Sequence, residues 1–373
     1  MIYFDNAATG GFKIRAVKDA VNYSLSTLLA NPGRSGHRLS VKSLELVYSC
    51  RETLAKYFSC EPERVIFTKN CTEALNQAIF GSKVEKGHVI TTVFEHNSVL
   101  RPLFNLKQQG LIDLDVVSNQ DDDGLIRQIN GLIRENTYLI ATTAVSNVTG
   151  RTLPIAKIGS IAKANNLLYL VDGAQGGGHV RLNMKEQNIS MLALAGHKGL
   201  CGIMGSGALL IDSSVDLLPL NYGGSGIDTF NESMPSSYPE KLEAGTLNLP
   251  AISALKEGCA HALENLDSFS NYLTNITKYL IDKLSSLSQL TCYSSPNSAG
   301  IVAFKHDTID SQEIADILSS DYDIAVRGGF HCAPLMHRAL ETEKSGLVRV
   351  SLAVHNTYRE VDYFIKSLSS IIY

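Results

Sequence analysis

Three features of the chain predict an α/β fold of two lobes, a large one built on a mainly parallel sheet and a smaller α+β one. Short apolar, β-branched runs alternate with helical patterns through the first two-thirds, the rhythm of strands buried on both faces by crossover helices. After about Gly245 that rhythm gives way to one long helical stretch and then to separate strand and helix signals. The length, 373 residues, also exceeds what one core accommodates, since single cores stop growing at roughly 250–300 residues.

The elements follow in order. Strands are expected at 65–68, 89–93, 114–117, 138–141 and 168–171, each an apolar run of strand length. Helices are expected at 43–58 and 155–165, the second with Pro154 in its first turn, where the missing amide hydrogen costs nothing. Asn70-Cys71-Thr72-Glu73-Ala74 opens a further helix that runs through Phe80. Beyond Gly245 the pattern predicts a long helical segment at 251–287 with a break, then a strand at 300–304. Asp310-Ser311-Gln312-Glu313 and Thr357-Tyr358-Arg359-Glu360 read as helix starts, the second a capping box in which hydroxyl and carboxylate each satisfy a free amide. The expected division is 14–244 for the large lobe, with 1–13 as an N-terminal arm joined to a small lobe at 245–373. Neither a repeat nor a low-complexity tract interrupts it, so the lobes are expected to share one cleft.

Composition narrows the function classes. A hydrophobic fraction of 44%, a charged fraction of 19% and a net charge of −4 are ordinary for a globular enzyme and give no reason to expect nucleic acid. The N-terminus lacks the basic stretch and apolar core of a signal peptide, and no run approaches membrane-spanning length, so no membrane partner and a cytoplasmic location are expected. Seven scattered cysteines, without close pairs, argue against a zinc site and for mostly reduced packing residues. No metal is expected.

The chemistry centres on Lys198, in Ala195-Gly196-His197-Lys198, and on Asp172, which ends the strand at 168–171. A lysine able to form a Schiff base and an acid able to keep a pyridine nitrogen protonated are the two requirements of a pyridoxal 5'-phosphate enzyme. A solvated loop lysine is the plain alternative. Polar residues at neighbouring strand ends favour the first reading, because ligands of an α/β sheet sit there. Thr72 and Cys71 open a helix whose free amides suit a phosphate. His96 follows one strand and could stack on a ring, while Asn147 and Gln175 could bond a phenolic oxygen.

Seven motifs in register carry a family resemblance: Tyr3-Phe4-Asp5-Asn6-Ala7-Ala8-Thr9, Asn31-Pro32-Gly33-Arg34-Ser35-Gly36-His37, Thr72-Glu73-Ala74-Leu75-Asn76, Val171-Asp172-Gly173-Ala174-Gln175, Gly196-His197-Lys198, Glu243-Ala244-Gly245-Thr246 and Arg327-Gly328-Gly329-Phe330-His331-Cys332-Ala333. The chain resembles the cysteine desulfurase and selenocysteine lyase branch of the class V aminotransferases. The resemblance implies the fold type I of pyridoxal phosphate transferases and a homodimer with active sites at its interface. It assigns Lys198 to the cofactor linkage, Asp172 to the pyridine nitrogen, His96 to ring stacking, Asn147 and Gln175 to the phenolic oxygen, and Thr72 and His197 to phosphate contacts, with Cys71 beside Thr72 also expected at the cofactor. Thr246 would serve the neighbouring subunit's phosphate. Arg349 would grip the substrate carboxylate, with Asn6, Asn147 and His37 also toward the substrate; for His37 a surface or capping role is equally open. The residue before Gly196 is usually serine in this branch, so Ala195 removes a phosphate hydrogen bond that Ser206 or a water would have to replace.

Cys332 separates the reactions open to such a cofactor. A desulfurase needs a thiolate to take sulfur from bound cysteine, and His331 and Arg327 are expected to favour that thiolate, with Gly328 and Gly329 freeing the loop. The implied activity converts L-cysteine to L-alanine and passes sulfur, through a persulfide on Cys332, to an acceptor protein for iron-sulfur clusters or thio-cofactors. Selenocysteine lyase (substrate L-selenocysteine), a class V aminotransferase and a non-catalytic scaffold are the alternatives. Phe330 stands where related enzymes often carry a second histidine, which leaves substrate preference open.

Overall fold

A computed structural model describes residues 1–28 and 30–372. In chain order the elements are β1 (Ile2–Tyr3), α1 (Arg15–Ser26), α2 (Arg38–Phe58), β2 (Val65–Thr68), α3 (Cys71–Gly81), β3 (Gly87–Thr92), α4 (Asn97–Gln108), β4 (Ile112–Val117), α5 (Asp122–Leu132), β5 (Thr137–Thr143) and α6 (Ile155–Ala164). They continue with β6 (Leu168–Asp172), β7 (Met191–Ala195), β8 (Gly207–Ile211), α7 (Leu249–Leu284), β9 (Leu290–Cys292), β10 (Ile301–His306), α8 (Ser311–Tyr322), β11 (Ile324–Ala325), α9 (Pro334–Ala339), β12 (Val348–Ser351) and α10 (Tyr358–Ile372).

Seven strands form the central sheet in the order β2-β8-β7-β6-β5-β3-β4. Strands β4, β3, β5, β6 and β7 pair in parallel, and β8 runs antiparallel to both its neighbours. The sheet is therefore mainly parallel, as expected. Every residue of β3, β7 and β8 is buried, because helices cover both faces and leave no solvated side for polar alternation. Local chemistry starts the helices: Asn70 accepts the Glu73 amide at 2.9 Å to open α3, and Asp121 accepts the Gly124 amide at 2.7 Å to open α5.

The smaller body has the antiparallel sheet β12-β10-β9 covered by α8 and α10, with Phe4, Phe304 and Phe364 meeting edge-on at ring separations of 6.0 and 6.3 Å. The N-terminus belongs to it. Strand β1 pairs in parallel with β11, and Asp5 bridges to Ser351. Both halves of the capping box before α10 form: the Thr357 amide donates to Glu360 at 2.7 Å, and the Glu360 amide to the Thr357 hydroxyl at 3.3 Å.

Three expectations change. The helix expected from 43 begins at Arg38, because His37 Nδ1 accepts the Ser40 amide at 3.3 Å and caps it earlier. Pro154 is the cap of α6 rather than a first-turn residue. The break expected within 251–287 is absent: α7 runs unbroken for 36 residues. Its first half, to Leu266, packs in the core under the large sheet, and Leu273 to Leu284 pack with Phe304 and Phe364. A helix serving two cores must turn its apolar stripe midway, and that shift imitates a break in the sequence pattern.

Among the described residues no helix is long and apolar enough to cross a membrane. All seven cysteines are free thiols, with Cys50, Cys71 and Cys259 buried and Cys332 exposed.

Candidate active site

The carboxyl ends of β3, β5, β6 and β7 open onto one cavity of about 90 Å³. Chain connectivity puts the site there. His96 lies just past β3, Asn147 just past β5, Asp172 ends β6, and Lys198 follows β7. Each joins the cavity wall, together with Cys71 and Thr72 from the start of α3, Gln175, and His197.

Lys198 and Asp172 share this cavity. Burial lowers the Lys198 ammonium from its ordinary value, while the Asp172 carboxylate and Cys71 act against that shift. Asp172 is only 3% exposed, and its Oδ1 accepts the Ala174 amide at 2.8 Å and the Cys71 thiol at 3.4 Å. Burial and the neighbouring Asp172 raise the Cys71 thiol well above its usual range. Cys71 is therefore a neutral S–H donor that orients the carboxylate.

His96 caps α4. Its Nδ1 accepts the Ser98 amide at 3.0 Å, and burial, then the positive charges of Lys198, Arg327 and Arg349, outweigh Asp172 and push it down to about 4. The ring is neutral near pH 7, and the Nδ1 bond puts its hydrogen on Nε2. His197 is also held at about 4, by burial and by Lys198 and Lys13, and its Nδ1 lies 3.0 Å from the Thr9 hydroxyl. Thr72 Oγ1 lies 2.8 Å from Ser98 Oγ.

The opposite wall is tied to the small body. Gln175 donates one amide hydrogen to the Ala7 carbonyl at 2.8 Å, and Asn147 donates one to the His331 carbonyl at 2.7 Å; each nitrogen keeps a second hydrogen. Arg349 is 1% exposed. Its Nη1 donates to the Asn147 carbonyl at 3.0 Å and its Nη2 to Asp5 at 2.9 Å. Its Nε and the Asn147 Oδ1 are buried without a partner among the described residues. Asn6 lines a second cavity beside Lys198, of about 280 Å³. Its amide nitrogen is engaged by Tyr3, Ser351 and Asn356, and its Oδ1 by the Gly11 amide.

Cys332 sits on a tight loop. Gly329, His331 and Cys332 all have positive φ, at 100°, 50° and 56°, so two non-glycine residues hold a conformation that costs each roughly 1–2 kcal/mol. Bonds to the site hold the loop there: the Cys332 carbonyl accepts the Asn97 amide at 2.7 Å, and the Arg327 and Arg349 backbones pair. Arg327 Nη2 lies 3.9 Å from the Cys332 sulfur. His331 does not add a second charge. Its Nε2 faces the Arg327 carbonyl at 3.1 Å, and burial lowers it well below the usual histidine range, leaving the ring neutral.

His37 and Thr246 lie outside this cavity. His37 caps α2, and Thr246 is exposed in a separate cavity of about 390 Å³ shared with Ser206. Ser206, expected as a stand-in for the hydroxyl absent at Ala195, gives its hydrogen to the Ile203 carbonyl at 2.6 Å and faces that other cavity. Two further residues escape notice in the sequence. Asp5, the partner of Arg349, is far from it in the chain, and Glu95 is fully buried with its carboxyl pushed up to about 8 by burial. Adjacency to His96 was the only signal for Glu95.

The family model for aminotransferase class V matches residues 2–364. The chain is 30% identical to a probable cysteine desulfurase of Methanothermobacter thermautotrophicus over 380 residues, covering 99% of this chain and 94% of that protein. It is 31% identical to a cysteine desulfurase of Serratia proteamaculans, over 100% of this chain and 93% of the relative. A solved cysteine desulfurase of Thermococcus onnurineus NA1 superposes with a TM-score of 0.91 at 28% identity, covering 100% of this chain and 94% of the other. A strand-end lysine facing a buried aspartate, and full-length likeness to these proteins, give one conclusion: the chain belongs to the class V aminotransferase family, in its cysteine desulfurase branch.

Proposed function

We propose that this protein is a pyridoxal 5'-phosphate-dependent cysteine desulfurase that converts L-cysteine to L-alanine and keeps the sulfur as a persulfide on Cys332. The observation that carries this reading is the loop that anchors an exposed cysteine to the Lys198 site through Asn97, Asn147 and Arg349. A transaminase has no need of a thiol held there.

The residues fit the cofactor. Asp172 meets its neighbours through Oδ1, Asn147 Oδ1 is buried without a partner, and the amino ends of α3 and α4 meet at one end of the same cavity. Lys198 would hold the cofactor, Asp172 its ring nitrogen, His96 its ring face, Asn147 and Gln175 its phenolic oxygen, and Thr72 and His197 its phosphate. When bound, the cofactor supplies the electron sink that makes the substrate's Cα proton and its carbon–sulfur bond labile.

Arg349 would bind the substrate carboxylate through its unpartnered Nε. The lowered basicity of Lys198 suits it to take the Cα proton as a neutral amine and return it. The Arg327 guanidinium lies 3.9 Å from the Cys332 sulfur, which attacks as the thiolate. That thiolate attacks the substrate sulfur; the carbon–sulfur bond breaks with its electron pair left on carbon, and a proton completes alanine. The persulfide on the exposed Cys332 is then open to a second thiol. A sulfur-acceptor protein, a homodimer with Thr246 serving the neighbouring site, and a cytoplasmic setting belong to the same reading.

The test is addition of L-cysteine to the purified, cofactor-loaded protein, with alanine and protein persulfide measured for wild type, Cys332→Ala and Lys198→Ala. One alanine per persulfide in wild type is expected, with both products lost in each variant. Unchanged alanine formation by Cys332→Ala would remove the persulfide mechanism. A keto acid in place of alanine would make the protein an aminotransferase.

A further inference from the structure

The N-terminal arm runs from the small body to the turn that carries Lys198. The Asn6 side chain donates to the Ser351 carbonyl at 2.9 Å, and the Ala7 amide to the Ser351 hydroxyl at 2.9 Å. Three donors of the same arm then gather on the carbonyl of His197: the Gly10 amide at 2.9 Å, Lys13 Nζ at 3.2 Å and the Thr9 hydroxyl at 3.4 Å. The Thr9 oxygen lies nearer, at 3.0 Å, to Nδ1 of that histidine. A hydroxyl has one hydrogen to give, and a carbonyl oxygen has two lone pairs. Gly10 and Lys13, the closer donors, fill both, so the Thr9 hydrogen goes to Nδ1. His197 is neutral near pH 7, and a neutral imidazole carries one ring N–H. With Nδ1 accepting, that hydrogen is on Nε2.

We propose that Thr9 is a positioning residue that sets the tautomer of His197, so that the ring nitrogen left to the cavity is a hydrogen-bond donor suited to an anionic oxygen. The other tautomer would present a bare lone pair there and repel a phosphate. The inference rests on the pyridoxal phosphate reading above, in which His197 is a phosphate contact and Thr9 acts through its ring. Lys13 gains a part as well: by filling the His197 carbonyl, its side-chain nitrogen leaves the hydroxyl hydrogen to the ring. Because the arm is fastened to Ser351, the donor character of one phosphate contact depends on the small body being docked.

The experiment reads the ring directly, by long-range proton–nitrogen NMR spectra of the full chain with nitrogen-labelled histidine. The His197 signals are assigned by their loss in His197→Gln. Wild type, Thr9→Ser and Thr9→Val are compared near pH 7, without and with pyridoxal 5'-phosphate. A hydrogen on Nε2 is expected in wild type and Thr9→Ser, and a mixture of the two tautomers in unloaded Thr9→Val. Equilibrium binding of pyridoxal 5'-phosphate, and of pyridoxal without its phosphate, is then measured for the same proteins. Thr9→Val is expected to weaken pyridoxal phosphate by roughly three- to tenfold, since the ring loses the bond that fixes its tautomer and direction, and to leave pyridoxal unchanged. Thr9→Ser should keep wild-type affinity. A hydrogen on Nδ1 in wild type would overturn the proposal, because Thr9 would then accept from the ring and donate to the carbonyl. So would an unmixed Nε2 hydrogen in Thr9→Val, or equal weakening of both ligands, the mark of a displaced arm. Wild type that binds neither ligand would sink the cofactor reading itself, an outcome distinct from these because the tautomer is also read in the unloaded chain.

Discussion

The side-chain amide of Asn147 donates to the backbone carbonyl of His331 over 2.7 Å, which fastens the wall of the Lys198 cavity to the residue beside Cys332. The Asn147 carbonyl in turn accepts Arg349 Nη1 at 3.0 Å. One asparagine thus joins the cavity wall, Arg349 and the Cys332 loop.

Asn147→Ala should loosen that loop. Removing the amide leaves a buried carbonyl unpaired, at a cost of roughly 1–3 kcal/mol, while the backbone bond to Arg349 survives. Amide hydrogen exchange over 327–335 is expected to quicken, and persulfide formation to slow by tenfold or more. Unaltered exchange would mean that the Asn97 bond alone holds the loop.

Arg349→Lys should act on substrate more than on cofactor. Lysine retains the charge near Asp5 but loses the planar fork and the unpartnered Nε. Loss of a charged hydrogen bond of about 1.5–3 kcal/mol predicts a KM for L-cysteine raised by roughly ten- to a hundredfold. Cofactor affinity should hold. An unchanged KM would confine Arg349 to tying Asp5 and Asn147 together.

Glu95 should make stability fall as pH rises. Burial holds its carboxyl at about 8, against 4.5 ordinarily. The folded protein keeps a proton that the unfolded chain releases from about pH 4.5 upward, so the contribution is complete below that pH and is lost as pH climbs to about 8. The slope approaches about 1.4 kcal/mol per pH unit. Glu95→Gln cannot titrate, so denaturant melts across this window should show wild type losing stability relative to the variant. A constant difference would place the Glu95 carboxyl near its ordinary value.

The Arg51–Glu243 pair should be a stability determinant. Nη2 and Oε2 lie 2.6 Å apart with side-chain exposures of 6% and 7%, and Glu243 Oε1 also accepts the Phe67 amide at 2.6 Å. Glu243→Gln leaves the Arg51 charge buried and uncompensated, which typically costs about 3–5 kcal/mol. Thermal or urea unfolding measures it; a loss below about 1 kcal/mol would show that water reaches Arg51.

The residues of the candidate site were legible where their type and their place at a strand end coincide, as for Lys198, Asp172, His96 and Asn147. Residues whose role depends on a distant partner were not. Asp5 and Arg349 meet across most of the chain, and His331 looks like a charged helper until its burial is seen. Strands β7 and β8 were missed, although they are apolar runs of the same kind, because no helical pattern stands between β6, β7 and β8 to mark the alternation.

The sequence by itself determined the α/β alternation, the helix starts at Asn70 and Thr357, and the presence of a lysine, an acid and a cysteine in family motifs, because these depend on local periodicity, capping and residue type. Tertiary structure decided the unbroken α7, the neutral state of His96 and His331, the Cys71 bond to Asp172 and the anchoring of the Cys332 loop. Burial and proximity between segments remote in the chain create those properties, and no local window of sequence contains them.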